Sequence, residues 1–299
     1  MPEEAGSAPL EAFAPAKVNL TLRVLGRRRD GYHRIESLVA FAGVGDRLQL
    51  HPGGSLDLTV GGATQIDAGP LAGNLVLKAA QAMIAESPAL MTGRFVLDKQ
   101  LPVAAGIGGG SADAAAALRL LAQLNQIAPD DPRLMRAASR TGADVPVCLV
   151  PRARVMRGVG EVLSPPVDLP PLPALLTNPR IAVPTRDVFA ALGLEPDDGE
   201  QDDITAPGHP PSSFTSPSDV FRALAAGAND LEAPAIRLHS RIGDVLTELH
   251  VLKGCRLARM SGSGATCFAL FDTQDEAEAA ARAVTTAHPD WWTVATTLR

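Results

Sequence analysis

The stretch Pro102-Val103-Ala104-Ala105-Gly106-Ile107-Gly108-Gly109-Gly110-Ser111-Ala112-Asp113 decides how this chain is read. Four glycines within the five positions 106–110 let the backbone turn its N–H groups toward one point, with no Cβ in the way of a ligand. An Ala/Leu-rich helix is expected over Ser111–Asn125, and its N-terminal end adds partial positive charge. Together they form an anion cradle suited to a nucleotide polyphosphate. A bare strand-to-helix turn would need only one or two glycines. No lysine follows the glycines, which excludes the phosphate loop of pattern G-x-x-x-x-G-K-S/T. The dinucleotide fingerprint also fails: Ser111 stands where its third glycine belongs, and no clear ribose-binding acid lies on a second strand ~20 residues on.

Outward from the loop, strand-like and helix-like runs mix without regular alternation. Lys17–Leu25 alternates Val18, Leu20, Leu22 and Val24 with Asn19, Thr21 and Arg23, which predicts a strand closed by Gly26 and an Asp30-Gly31 turn. Further strands are expected at Arg47–His51, Leu56–Val60, Arg94–Lys99, Arg154–Val155, Ala174–Leu176, Arg180–Val183, Arg256–Met260, Cys267–Phe271 and Trp291–Thr297. Helices are expected at Asn74–Ala85, Pro132–Thr141, Arg186–Leu192, Ala233–Glu248 and Gln274–Thr285. This mixture indicates an α+β fold. The proline-dense segment Pro165–Pro173 reads as an inter-domain crossing, which suggests domains at 1–162 and 163–299. Residues 195–219 hold five prolines and no periodicity, and are expected to form a mobile loop.

Composition narrows the function. The 299 residues are 46% hydrophobic and 20% charged, as in ordinary soluble proteins, but only 4% aromatic, with Tyr32 the sole tyrosine. The core must be built from Ala, Val and Leu, and each ring needs a reason. A net charge of −6 argues against nucleic-acid and anionic-membrane partners. Three cysteines without C-x-x-C spacing exclude a disulfide framework and a Cys-rich zinc site, and fit a reducing compartment. Cys148 and Cys267 lie in apolar runs and are expected to be buried thiols. Residues 1–11 hold three glutamates and no basic apolar run, so no signal peptide is expected. Asp113 and Arg119 interrupt the most apolar run, Ala112–Leu124, so no membrane span is expected either. The expectation is a cytoplasmic globular protein.

Two further segments place a charge among small or apolar residues: Pro15-Ala-Lys17-Val-Asn19-Leu and Gly142-Ala-Asp144-Val-Pro146. Alone, each charge would read as a solvated strand end or a helix cap. Together with the glycine loop they make the chain resemble the GHMP kinases. The resemblance is carried by Ala14–Leu20, Gly26–His33, Leu101–Ala114, Thr141–Pro146 and Met260–Ala265, in that order. Arg157–Glu161 and Asn229–Glu232 also fit. The element Asp30-Gly-Tyr-His33 is similar to that of the branch acting on a cytidine-diphosphate-linked methylerythritol.

The resemblance implies a two-domain fold with the active site in the cleft between the domains. It implies ATP as co-substrate with Mg2+, and phosphorylation of a hydroxyl on the erythritol part of the substrate, in non-mevalonate isoprenoid synthesis. Asp144 would accept the hydroxyl proton, and Lys17 would stand beside it and stabilise the charge that develops. Residues 102–112 would hold the triphosphate, with Ser111 a candidate phosphate or magnesium contact. For the acceptor, the family pattern points to Tyr32, His33 and Phe189, with Thr185 in the same second segment. Asn19 shares a strand face with Lys17 and could line the same pocket. Asn74 and Lys78 follow a family-like Asn-Leu-Val-x-Lys pattern that bears on adenine. Ala112 stands where a second serine is common, so that hydroxyl is not essential here. The expected oligomeric state is a monomer or a weak homodimer. Two other functions fit the same loop: a GHMP kinase of homoserine or mevalonate type, and a nucleotide-binding regulator without chemistry.

Overall fold

The computed structural model describes residues 8–64, 73–197, 213–214 and 216–299. In chain order these form β1 (Leu10–Asn19), β2 (Arg23–Arg27), β3 (His33–Pro52), β4 (Asp57–Gly61), α1 (Leu75–Glu86), β5 (Gly93–Asp98), α2 (Gly109–Leu124), α3 (Pro132–Thr141), α4 (Val145–Leu149), β6 (Arg154–Gly158) and β7 (Val162–Leu163). There follow β8 (Leu172–Asn178), α5 (Thr185–Ala190), α6 (Pro217–Ala225), α7 (Glu232–Leu238), α8 (Arg241–His250), β9 (Leu257–Met260), β10 (Cys267–Leu270), α9 (Gln274–Ala287) and β11 (Trp292–Leu298).

Contacts divide the chain into two compact units. The first takes residues up to Ala16, Gly45–Val103 and Gly108–Val150. Its sheet pairs the end of β3 antiparallel with β5, from Arg47 opposite Asp98 to Pro52 opposite Gly93, and adds β4 parallel to β5. Helices α1 to α4 pack on one another. The centre of this packing is α2, in which every residue from Ala112 to Leu118 is buried. A helix hydrophobic on all sides must be enclosed, and its alanines let the neighbours approach closely. The bounds of α3 follow from local chemistry. Asp131 caps it by accepting from the Arg133 amide, Pro132 opens it, and Gly142 ends it.

The second unit takes Lys17–Val44, Ala104–Ile107 and Pro151–Arg299. Here β3 pairs antiparallel with β2 and with β6, and Ala42 of β3 faces Leu298 of β11. The antiparallel order then runs β11-β8-β10-β9. The core against this sheet comprises Leu175, Val188, Ile242, Val245, Leu249, Met260, Phe271 and Val284, from α5, α8 and α9 and the strands beneath them. Aliphatic side chains dominate, as the low aromatic content requires.

Several local readings need correction. The single strand expected over Lys17–Leu25 is two strands, because around Leu20–Leu22 the backbone pairs elsewhere: Leu20 N–H with Leu38 O, and Leu22 N–H with Ala228 O. Arg180–Val183 is irregular rather than a strand, and Ala233–Glu248 is two helices divided at His239-Ser240. Helix α6 begins at Pro217, inside the segment expected to be loop, with Ser216 accepting from the Asp219 amide as its cap. The rest of that expectation, at 198–212 and 215, lies outside the described residues, as do residues 1–7 of the N-terminal reading. Cys148 and Cys267 are buried thiols, as expected. No helix among the described residues is long and apolar enough to cross a membrane.

Candidate active site

In the second unit the end of β1 meets two glycine turns. The Lys17 amide donates to Ile107 O at 2.9 Å, and the Thr266 amide donates to Ala105 O at 3.0 Å. Ser261 binds both neighbours, its hydroxyl donating to Gly106 O at 3.0 Å and accepting from the Asn19 amide at 3.0 Å. Gly106 has φ +74°, and a Cβ there would strike the Ser261 carbonyl. Gly262 has φ +55°, and a Cβ there would lie 2.7 Å from Gly106 O. The two turns therefore touch backbone to backbone, an approach open only to glycine. Within this frame the buried Lys17 ammonium donates to Asn19 Oδ1 at 3.2 Å, and Asn19 Nδ2 donates to Ser37 Oγ at 2.7 Å. Lys17 and Asn19 thus share a strand face, as their spacing predicts.

The second glycine turn is itself held from below. Asn229 Nδ2 donates to Met260 O and to Gly262 O, both at 2.8 Å, and its Oδ1 accepts from the Leu231 amide at 3.0 Å. A Glu232 carboxylate oxygen accepts from the Met260 amide at 2.8 Å. The segment Asn229–Glu232 therefore shapes the turn that Ser261 locks to Gly106.

In the first unit, Gly108 at φ +62° is the N-cap of α2, so Gly109, Gly110 and Ser111 form its first turn. The Ala112 amide closes on Gly108 O at 2.8 Å, and the amides before it have no acceptor within the helix. Those amides and the helix dipole are oriented for an anion. Pro102, Ala105, Ile107 and Ala112 are buried, whereas Gly110 is exposed and Ser111 half-buried. Asp144 is the N-cap residue of the short α4 and is half-buried, but its carboxylate does not cap the helix. Arg119 anchors the other end of α4 by donating to Cys148 O at 2.8 Å, and it also reaches Phe13 O at 2.7 Å.

A group of buried charges that sequence reading missed lies beneath the start of α2. Lys99 Nζ donates to Asp46 Oδ2 at 2.5 Å and to Asp113 Oδ2 at 2.9 Å. Burial would lower the Lys99 pKa, but the two carboxylates more than offset it and raise it. Burial also pushes the Asp113 carboxyl up to about 8; Lys99 opposes that shift and Asp46 adds to it.

Of the residues expected to meet the acceptor, Tyr32 and His33 lie at the β2–β3 hairpin and Thr185 and Phe189 in α5. His33 lies against Phe189 of α5, with ring centroids 4.7 Å apart and planes inclined by 30°. Burial first, and the nearby Arg27 charge second, lower the His33 pKa below 6.5. Tyr32 is 61% exposed at the hairpin tip, where its amide donates to Asp30 Oδ1 at 3.1 Å. Segment 194–197 crosses this hairpin: the Asp197 amide donates to Arg27 O at 2.9 Å, and Arg34 pairs with the Asp197 carboxylate at 2.6 Å. Thr185 Oγ1 and Ser263 Oγ are 2.8 Å apart, which ties the α5 segment to the second glycine turn. Asn74 caps α1 by accepting from the Val76 amide at 2.9 Å, and Lys78 is exposed. Among the described residues no group of three His, Cys, Asp or Glu side chains could cage a metal by itself.

Sequence reading thus found the first glycine loop but not what fixes it. Ser261, Ser263 and Asn229 lie in segments that were legible as motifs, and the Gly262-x-Gly264 spacing was their signal. Nothing local marks Asp46 or Lys99.

Comparison with known proteins agrees with this geometry. Residues 74–152 match the GHMP kinases N terminal domain, and residues 216–290 match the GHMP kinases C terminal family. A 4-diphosphocytidyl-2-C-methyl-D-erythritol kinase of Rhodopseudomonas palustris is 57% identical over 286 residues, covering 95% of this chain and 97% of that relative. One of Methylobacterium radiotolerans is 56% identical, covering 96% and 98% respectively. A crystal structure of 4-(cytidine 5'-diphospho)-2C-methyl-D-erythritol kinase superposes with TM-score 0.74 at 35% identity, covering 97% of this chain and 99% of that one. A homoserine kinase from Cytophaga hutchinsonii shares the fold, with TM-score 0.67 at 17% identity over 99% of this chain and 96% of that one. The chain therefore belongs to the GHMP kinases, as an ATP-dependent small-molecule kinase of the 4-diphosphocytidyl-2-C-methyl-D-erythritol kinase family.

Proposed function

We propose that this kinase transfers the γ-phosphoryl group of ATP to the 2-hydroxyl of 4-diphosphocytidyl-2-C-methyl-D-erythritol. The observation that carries this reading is identity of 57% across 95% of the chain to a relative bearing that name. The proposed roles follow from the residue chemistry. Asp144 accepts the hydroxyl proton as the oxygen attacks, and Lys17 stabilises the charge on the reacting oxygens. A carboxylate is a weak base, so positioning and charge neutralisation supply most of the acceleration, as in phosphoryl transfer generally. Residues Pro102–Ala112 hold the triphosphate through backbone amides and the α2 N-terminus. Tyr32, His33 and Phe189 receive the cytosine, and Asn19 and Thr185 line the remainder of the acceptor site. The closeness of His33 to Phe189 supports that assignment, because a base needs a flat partner and a neutral hydrogen-bonding group.

A Mg2+ ion bound by nucleotide phosphates and water needs only one or two protein oxygens, and Ser111 Oγ in the first turn of α2 is such a donor. When bound, the ion would neutralise charge on the phosphates; the protein's share is to hold Ser111 and the loop amides in place.

The test is ADP release by the purified protein with each acceptor in turn. Turnover of the cytidine-linked acceptor, and neither mevalonate nor homoserine, is the expected result. Turnover of mevalonate or homoserine alone would move the chain to another GHMP activity, and ATP binding without acceptor-dependent ADP release would make it a regulator.

A further inference from the structure

We infer that Lys99, Asp46 and Asp113 form a buried tether that sets the two ends of the phosphate-binding loop against each other, so that Lys99 and Asp113 are positioning residues for ATP. The inference rests on the reading of residues 102–112 as the triphosphate site. All three side chains are at least 95% buried. Asp46 Oδ1 accepts from the amides of Gln100 at 2.6 Å and Leu101 at 2.9 Å, the two residues just before Pro102. Asp113 lies two residues after Ser111, in the first turns of α2. A single ammonium, Lys99 Nζ, bridges the two carboxylates. Thr64 Oγ1 donates to Leu101 O at 2.8 Å and fixes the same end again. The chain between these ends is the glycine stretch, whose composition alone would allow many backbone shapes; Ser261 and Thr266 hold its middle, and its ends need their own anchors. Its amides can match phosphate oxygens only if both ends are held.

Stability alone is a poor account of such a cluster. Two carboxyl groups and one ammonium lose their hydration together, and well-packed apolar side chains of similar volume are often at least as stable. What the charges supply is directed hydrogen bonding between β3, the end of β5 and the start of α2. Asp113 Oδ1 has no hydrogen-bond partner among the described residues, so its bond to Lys99 runs through Oδ2.

The experiment is steady-state kinetics on the full chain with ATP and the acceptor varied separately, and circular dichroism to confirm folding. Asp113→Ala cuts the tether and leaves Lys99 paired with Asp46, so no ammonium is orphaned. We expect the KM for ATP to rise about tenfold while the acceptor KM stays within about twofold. Asp113→Asn keeps an oxygen for Lys99 and should recover most of that loss. If Asp113→Ala does not fold, Lys99→Gln, which reaches one carboxylate only, should show the same ATP-specific rise. A folded variant with an unchanged ATP KM overturns the inference, as does an equal rise for both substrates. An Asp113→Asn variant as impaired as Asp113→Ala also overturns it, because charge rather than the tether would then matter. Gly110→Val separates this failure from that of the underlying reading. If it binds a fluorescent ATP analogue as the wild type does, the loop is not the phosphate site and both readings fall. If it loses the analogue while Asp113→Ala keeps it, only the tether fails.

Discussion

The imidazole of His33 rests on the phenyl ring of Phe189 with 4.7 Å between ring centroids, joining the β2–β3 hairpin to α5. In a chain with eleven aromatic side chains among 299 residues, a hairpin ring meeting a helix ring needs an explanation beyond core packing. Phe189 is only half-buried and Tyr32 is exposed nearby in sequence, so the rings leave surface for a further flat group. The lowered His33 pKa keeps the imidazole neutral at pH 7, with one nitrogen donating and the other accepting, which suits the amide-like edge of cytosine.

Phe189→Ala should therefore weaken the acceptor and spare the nucleotide. Loss of a stacking platform is worth ~1–3 kcal/mol, so the acceptor KM should rise about tenfold or more, with the ATP KM within about twofold. Because the His33 pKa lies below 6.5, the wild-type acceptor KM should stay level as pH falls from 8 to 6.5, and rise only below that. Initial rates with each substrate varied in turn measure both effects. A shared rise in the two KM values would remove Phe189 from the acceptor site.

Asp144→Asn preserves size and takes away the proposed base. The expected loss is at least ~10²-fold in kcat, with ATP affinity little changed. Asp144 does not cap α4, so its replacement should not unfold that helix. Rapid-quench measurement of ADP formation gives the chemical step directly. Turnover near the wild-type rate would take Asp144 out of its proposed role.

What was legible in the sequence was local. The glycines at 106–110 announced a turn, the alanine run a buried helix, and Asp131-Pro132 with Gly142 the bounds of α3, because each signal acts within a few residues. Asp113 shows the limit. Within an apolar run it reads as an interruption, since its partners Asp46 and Lys99 arrive from distant segments. The break at Leu20–Leu22 was hidden for the same reason: the alternation continues, but the backbone acceptors are Leu38 and Ala228. Membership of the compact units is likewise tertiary, because residues 35–39 of β3 pair with residues 154–158 of β6. The Ser261 hydroxyl between Gly106 and Asn19 needed two motifs to be folded together before its role could be seen.

Asn229→Ala should be among the more destabilising single changes in the second unit. It strips partners from the carbonyls of Met260 and Gly262 and from the Leu231 amide. Each unsatisfied buried group costs ~1–3 kcal/mol, so a loss of about 3 kcal/mol or more is expected. Asn229→Asp should be no better, because it keeps the acceptor for Leu231 but sets a carboxylate against two carbonyls. Urea unfolding gives the number, and a change below about 1 kcal/mol would show that the turn at 260–264 holds its shape without Asn229.

The buried Asp113 also makes stability depend on pH in a direction opposite to that of an ordinary ion-paired carboxylate. Unfolded, Asp113 loses its proton near 3.8, whereas the folded chain holds that proton up to about 8. Between these values the folded state binds more protons than the unfolded one, so raising the pH removes stability. The contribution is complete below about pH 4, declines through the interval and is gone above about pH 8. Lys99 and Asp46 are the groups facing Asp113, and Lys99, whose pKa is raised, stays charged throughout that range. Asp113→Asn cannot titrate. Its urea midpoint relative to wild type should therefore shift in favour of the variant as pH rises from about 5 to about 8. A difference that stays constant across that range would mean that Asp113 ionises in the folded chain as it does in the unfolded one.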